Sequence, residues 1–240
     1  MKKLPLVYLG ISILLLVSCN KEAEKPKVIY DVASKAAGLA KVDSVQVAIS
    51  DLPIQMEGTD YLIHPVGDLR VYEKGTKAKY GSSSVMDLSF TISNYAENEI
   101  TGYLQNLKFQ KTDSDSLIAL TKKPVLIQTA TYLKSVSDRS KKQVMVYTMV
   151  DLDTNKDGKL DTSDIKCLYL SEISGKRFTK VSMDFQELID WSLIESKSRL
   201  YFRTVEDTNK NGQFDKNDVV HYNYIDLSKE EWNVMKYKPI

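Results

Sequence analysis

Residues 144–170 read VMVYTMVDLDTNKDGKLDTSDIKCLYL, in which a polar stretch, 153–164, separates two short apolar runs. Both runs are rich in β-branched and aromatic side chains and are bounded by turn residues, which is typical of β-strands. Helices would need longer runs, with apolar residues three and four positions apart. The pattern therefore predicts two strands joined at a hairpin tip by residues 153–164.

The polar stretch occurs a second time. Residues 207–218 read DTNKNGQFDKND and begin 54 positions (207 − 153) after the first copy, DTNKDGKLDTSD. The second copy lies between LYFRTV, residues 200–205, and VVHYNYIDL, residues 219–227, which have the same strand-like composition. We therefore expect a second hairpin with an equivalent loop at its tip.

Both loops carry oxygen-bearing side chains at positions one, three, five, nine and twelve. These are Asp153, Asn155, Asp157, Asp161 and Asp164 in loop one, and Asp207, Asn209, Asn211, Asp215 and Asp218 in loop two. Glycine holds position six, where the chain must turn sharply, and the backbone carbonyls of Lys159 and Gln213 follow at position seven. Calcium takes six to eight oxygen ligands, so the pattern predicts two calcium sites.

The loop chemistry resembles that of EF-hand and dockerin calcium loops, although the strand-like flanks do not. Position twelve is Asp164 or Asp218, where an EF-hand usually has a bidentate Glu, so weaker or water-assisted coordination is expected. Loop one has four carboxylates against three in loop two, which predicts the tighter site in loop one. The alternative is a pair of metal-free turns in which Asp and Asn bond their own backbone.

The N-terminal sequence MKKLPLVYLGISILLLVSC has the charged start and short apolar run of a secretion signal. Its end, Leu16-Val17-Ser18-Cys19, resembles the bacterial lipobox, which implies cleavage before Cys19 and attachment of acyl chains such as palmitate to that residue. An ordinary signal peptide is the alternative. We expect a signal peptide at 1–18, a lipidated Cys19 with a tether and a short helix within 19–44, and a location at the bacterial outer membrane, either periplasmic or surface-exposed.

The remaining residues, 45–240, are expected to form one β domain that carries both loops. The formal net charge is +1, so the sequence lacks the excess of basic residues that is typical of nucleic-acid-binding proteins. With Cys19 assigned to lipid, Cys167 is left alone in an apolar strand, where a buried inert thiol is expected and no disulfide framework is available.

Internal repetition extends beyond the loops. Residues 168–207 resemble a blade of the Tol-associated, WD-like propellers, in Gly175, the Trp191-Ser192 step and the run RLYF at 199–202. The resemblance implies an all-β fold of propeller-like repeats of antiparallel strands, with calcium loops at hairpin tips; a β-sandwich is the alternative. The whole chain also resembles small lipoproteins of flavobacteria, of the Bacteroidetes type, with paired loops of this kind, a likeness that implies no activity.

No catalytic motif is evident in the sequence. His64 and His221 are the only histidines, and no Gly-x-Ser-x-Gly elbow or phosphate-binding loop occurs. We therefore expect a non-enzymatic, membrane-anchored binding or scaffold module at the cell envelope, with an unknown protein or glycan partner. The alternatives are a calcium-dependent glycan hydrolase with carboxylate catalysts outside the loops and a dockerin-like adaptor.

Overall fold

The structure, a computed structural model, describes residues 27–30, 47–73 and 86–240. The predicted signal peptide, the lipidation site Cys19 and the predicted short helix at 31–42 lie outside the described residues. Within the described ranges, no helix is long and apolar enough to span a membrane.

The described residues form sixteen β-strands, one short α-helix and one turn of 3₁₀-helix at Glu195–Lys197. In chain order they are β1 Ala48–Ser50, β2 Ile54–Gln55, β3 Tyr61–Asp68, β4 Arg70–Glu73, β5 Met86–Ser89, β6 Ser93–Ala96, β7 Glu99–Lys111, β8 Leu117–Ala119, β9 Leu126–Tyr132, α1 Lys134–Ser140, β10 Val144–Val150, β11 Lys166–Glu172, β12 Thr179–Lys180, β13 Gln186–Ile194, β14 Arg199–Glu206, β15 Val219–Asp226 and β16 Val234–Lys236.

The strands form three antiparallel sheets. The large sheet has the order β1-β3-β7-β9-β10-β11-β12, with β2 added to β3 and both β6 and β8 added to β7. The second sheet has the order β13-β14-β15-β16, and β4 pairs with β5 in a separate ribbon. The predicted all-β class is therefore confirmed.

Both predicted hairpins are present. Strand β10 pairs with β11 across residues 151–165, and β14 pairs with β15 across residues 207–218. Each loop therefore lies at a hairpin tip, as the flanking sequences predicted. Each also joins the second and third strands of a four-stranded antiparallel meander, β9–β12 in one case and β13–β16 in the other.

The two meanders are not equivalent in their surroundings. The first continues through β9 into β7 and the rest of the large sheet, whereas the second is a sheet of its own. Separate four-stranded sheets around a channel define a propeller, and the described sheets are open. A sandwich-like arrangement fits this topology, and the propeller-like relation stays a prediction.

The β10–β11 hairpin is buried on both faces, which explains its nearly continuous apolar sequence. Tyr147, Met149 and Cys167 join one core with residues of β3, β7 and β9. The alternate residues on the opposite face, such as Val146 and Leu168, join a second core with β13, β14 and β15. The hairpin that carries loop one therefore lies between the two cores.

Candidate functional site

Loop one is held by hydrogen bonds from its own backbone to the predicted ligand side chains. The Asp153 carboxylate accepts from the N–H groups of Asp157 (3.2 Å) and Gly158 (2.9 Å). Asn155 Oδ1 accepts from the Asp157 N–H at 3.0 Å, and Asp157 Oδ1 accepts from the Lys159 N–H at 2.9 Å. The structure thus brings positions one, three and five to the inside of one tight turn.

Asp164, at position twelve, closes the loop. Its Oδ1 accepts from the N–H groups of Thr154 (2.7 Å) and Asn155 (3.2 Å), and its Oδ2 accepts from the Asp161 N–H at 3.1 Å. The residue is 0% exposed. Burial raises the pKa of this carboxyl, and the three N–H donors oppose that rise because they stabilise the anion.

Loop two repeats the first half of this network at the same positions. The Asp207 carboxylate accepts from the N–H groups of Asn211 (3.2 Å) and Gly212 (2.7 Å). Asn209 Oδ1 accepts from the Asn211 N–H at 2.9 Å, and Asn211 Oδ1 accepts from the Gln213 N–H at 2.8 Å. The repeated sequence therefore produces a repeated local structure.

The second half of loop two repeats two of the three backbone hydrogen bonds that Asp164 accepts in loop one. The Asp218 carboxylate accepts from the N–H groups of Thr208 (3.1 Å) and Asp215 (2.8 Å). Asp215 Oδ1 accepts from the Asn217 N–H at 2.7 Å. Unlike Asp164, Asp218 is only half-buried; in loop two the buried carboxylate is Asp207, at position one.

The two loops also share an unusual backbone conformation. Position four has positive φ in both, 57° at Lys156 and 57° at Lys210, and position six follows with 84° at Gly158 and 81° at Gly212. Positive φ is costly for any residue with a Cβ, and least so for glycine. A Cβ placed on Gly158 would meet no atom within 4 Å, so backbone conformation alone requires glycine there.

The donor chemistry of the loops fits calcium, although their carboxylates do not converge. Across residues 27–30, 47–73 and 86–240, no three His, Cys, Asp or Glu side chains gather as a metal-holding group. The carboxylates are directed to backbone N–H groups, which is also the bonding of a metal-free Asx turn. A carboxylate has about four lone-pair sites, so acceptor capacity remains for a cation. The Asn side chains and the carbonyls of Lys159 and Gln213 would add further hard oxygen donors.

A segment outside the loops holds them together. Residues 27–30, here called the strap, lie across both loop backbones. The N–H groups of Lys27 and Val28 donate to the Gly212 carbonyl at 2.7 and 3.2 Å, and the Ile29 N–H donates to the Thr154 carbonyl at 3.0 Å. Thr154 Oγ1 donates back to the Lys27 carbonyl at 2.8 Å. The sequence prediction placed these residues in the tether, but here they pack on the domain.

The side chains of the strap reinforce this docking. Lys27 Nζ lies 3.0 Å from Glu187 Oε1 of β13, and Glu187 also accepts from the Lys166 N–H at 3.0 Å. Burial, followed by the charge of Asp207 and a hydrogen bond to it, raises the pKa of Tyr30 to about 12. Val28 is 2% exposed. The apolar run Val28-Ile29-Tyr30, after eight mainly charged residues, is the signal from which packing could have been predicted.

The strand end that leads into loop one is fixed by a second polar cluster. Asp151 Oδ2 accepts from the Tyr169 hydroxyl at 2.7 Å and from Lys180 Nζ at 2.8 Å, and Lys180 also reaches Asp184 at 2.6 Å. Burial raises the pKa of the Tyr169 hydroxyl. Asp151, two residues before loop one, is therefore held by a hydrogen bond from β11 and an ion pair to β12.

The chemistry-bearing residues outside the loops have structural partners. His64 Nε2 lies 2.9 Å from Gln110 Oε1, and His221 Nε2 lies 2.7 Å from Glu206 Oε2. Cys167 is buried, its Sγ donates to the Met149 carbonyl, and burial raises the pKa of its thiol. The predicted burial of Cys167 is confirmed, and a raised pKa disfavours the reactive thiolate.

A cavity of about 380 Å³ lies where residues 141–144, after α1, and residues 172–177, from the end of β11, approach residues 229–232, before β16. Arg177 covers the Trp232 ring at 4.4 Å and donates to the Glu230 carbonyl at 2.7 Å. The two carboxylates of the lining face cations: Glu172 lies 3.8 Å from Arg177, and Glu230 lies 3.5 Å from Lys142. Both carboxylates of this lining are therefore engaged by cations, and the cavity adds no support to the hydrolase alternative.

Tyrosine rings cluster on the outer face of the second sheet. Tyr201, Tyr222, Tyr224 and Tyr237 are half-buried, with ring centroids 5.3 to 6.2 Å apart in the contacting pairs. Arg199 lies 4.5 Å above the Tyr224 ring. These residues face away from the second core, because the intervening residues of β14 and β15 point into it. The face combines apolar ring surface with hydroxyl groups.

Comparisons with known proteins give no match: no protein-family model fits this chain, and a search of curated proteins finds no related sequence.

Proposed function

We propose that this chain is a calcium-binding bacterial lipoprotein, anchored by lipid on Cys19, whose β domain serves as a non-enzymatic binding or scaffold module at the outer membrane. The observation that supports calcium most directly is the duplication of one loop geometry. Two separate hairpins carry the same hydrogen bonds to positions one, three and five and the same positive-φ positions, and their Asp and Asn side chains offer hard oxygen donors. Calcium would rigidify both hairpin tips and neutralise their acidic side chains.

The binding role is supported by the face opposite the second core. The clustered tyrosines there offer an amphipathic surface of the kind used to recognise proteins and glycans. A propeller-like relation between the two meanders belongs to the same proposal, and its support is the position of each loop between the second and third strands of a meander. Periplasmic and surface exposure are both compatible with the anchor.

Calorimetric titration of calcium into the chelator-treated full chain tests the metal. We expect two sites and a higher melting temperature; at calcium one hundred times the Kd, each site adds about 2.7 kcal/mol to the free energy of unfolding. Magnesium is the control ion, because it demands a stricter octahedral geometry and should stabilise less.

The variant Asp153→Ala with Asp157→Ala separates ion binding from turn geometry. It should remove the loop-one site and lower the melting temperature more in calcium than in chelator. An equal loss in both media would show that these side chains act only through the backbone hydrogen bonds they accept, and would contradict the calcium proposal for this loop.

The anchor is tested separately by growing a bacterial host on labelled palmitate. We expect the full chain to incorporate label and to sediment with membranes. Cys19→Ala should abolish incorporation completely, because Cys19 is the cysteine of the lipobox-like sequence. The matched control is Cys167→Ala, because Cys167 is buried. Undiminished labelling of the Cys19→Ala chain would refute the lipid assignment.

A further inference from the structure

The strap has no counterpart in the duplicated sequence, yet it is the one described segment that hydrogen-bonds to the backbones of both loops. Its N–H groups meet loop two at Gly212, the position-six turn residue whose own N–H donates to Asp207. They meet loop one at Thr154, whose N–H and hydroxyl both contact Asp164. Each residue that the strap contacts is therefore itself hydrogen-bonded to a predicted calcium ligand, Gly212 to Asp207 and Thr154 to Asp164.

The contacts are made through backbone and buried apolar surface, so they depend on the shape of the loops. Gly212 and Thr154 are both buried beneath the strap, whereas Gly158 and Thr208, their counterparts in the other loop, are exposed. The strap therefore uses the glycine turn of loop two and the second position of loop one. A change in either loop alters the acceptor to which the strap is bound.

We infer that the strap couples the two calcium loops, so that an ion in one loop favours ion binding in the other and docks residues 27–30 on the domain. This inference rests on the calcium binding proposed above. An ion in loop two orders the Gly212 turn and fixes the acceptor for Lys27 and Val28. The docked strap then holds Thr154 and the Asp164 network of loop one in its binding geometry.

The coupling is reciprocal, because a change in one binding equilibrium must be matched by an equal change in the other. Binding of the first ion orders the strap and loses conformational entropy. The second ion then binds a domain that is already ordered, which gives positive cooperativity.

Val28→Ser and Ile29→Ser form a matched pair for testing the coupling. Val28 is 2% exposed and Ile29 is 40% exposed. The change to serine therefore removes buried apolar packing at Val28 and a solvent-exposed apolar side chain at Ile29. Neither substitution adds charge near the loop carboxylates, and neither position is a predicted ligand.

The experiment combines calcium calorimetry of the full chain with amide hydrogen exchange of the strap. In the unmodified chain we expect the second ion to bind about fivefold or more tightly than independent sites allow, and the strap amides to exchange more slowly once calcium is added. Val28→Ser should abolish the cooperativity and the calcium-dependent protection, whereas Ile29→Ser should retain both.

The possible failures are distinguishable. If both ions bind but cooperativity is absent, or is the same in Val28→Ser as in the unmodified chain, the coupling is refuted and the proposed function stands. If calcium binds but exchange of the strap amides is unchanged in the unmodified chain, the coupling is also refuted, whatever the variants do. If no calcium binds, both proposals fall.

Discussion

Asp164→Ala is expected to lower the free energy of unfolding by about 3 kcal/mol in chelator, before any effect of calcium is counted. The substitution leaves the buried N–H of Thr154 and the half-buried N–H groups of Asn155 and Asp161 without their acceptor. Hydrogen bonds to a charged group contribute about 1.5–3 kcal/mol each, and local rearrangement recovers part of that loss. Urea unfolding measures the effect directly.

Asp218→Ala is the matched control, because Asp218 holds the same position in loop two. It accepts from Thr208 and Asp215, but it is half-buried, so water can replace it as the acceptor. A loss of about 1 kcal/mol is expected for a partly solvated pair of hydrogen bonds. Equal losses for the two variants would mean that the burial of Asp164 is irrelevant to its role.

Gly175→Ala should lower the free energy of unfolding by about 3 kcal/mol, for two separate reasons. Gly175 has φ of +77°, and a Cβ in that conformation costs about 1 kcal/mol. The added Cβ would also lie 2.6 Å from Cδ2 of Phe109, a fully buried ring of the first core. Forcing such a ring aside costs about 1–3 kcal/mol.

Gly58→Ala separates these two contributions. Gly58 has φ of +75°, and a Cβ there would meet nothing within 4 Å, so only the backbone cost of about 1 kcal/mol remains. Combining Gly175→Ala with Phe109→Leu should reduce the cost of the glycine substitution, because the smaller side chain can move away. An unchanged cost in that background would show that the Phe109 contact is not the cause.

The local features of the loops could be predicted from the sequence because they depend on neighbours along the chain. The glycine turns, the strand flanks and the hairpin connection all follow from side-chain type at fixed spacing. The all-β class followed for the same reason. Calcium binding at these positions stays a prediction.

The long-range features could not be predicted in this way. The two loops have equivalent sequences, yet Asp164 is buried in one and Asp207 in the other, because different neighbours cover them. The strap was missed because the charged residues before Val28 dominate the local composition, and packing of a short apolar run depends on surfaces formed elsewhere. The burial of β10 on both faces was not predicted either, because the second core is formed by strands of another sheet.

Strand β7 has a consequence for how fast this protein can fold. It pairs with β6 and β3 along one edge and with β9 and β8 along the other, and its partners in β3 lie far back in the chain. The β6–β7 and β7–β8 hairpins can close early, since short loops cost little entropy. The β3 pairing must wait for a long-range encounter, and such contacts slow folding. We therefore expect a slow folding step at β7, while the meander that carries loop two can form by local pairing.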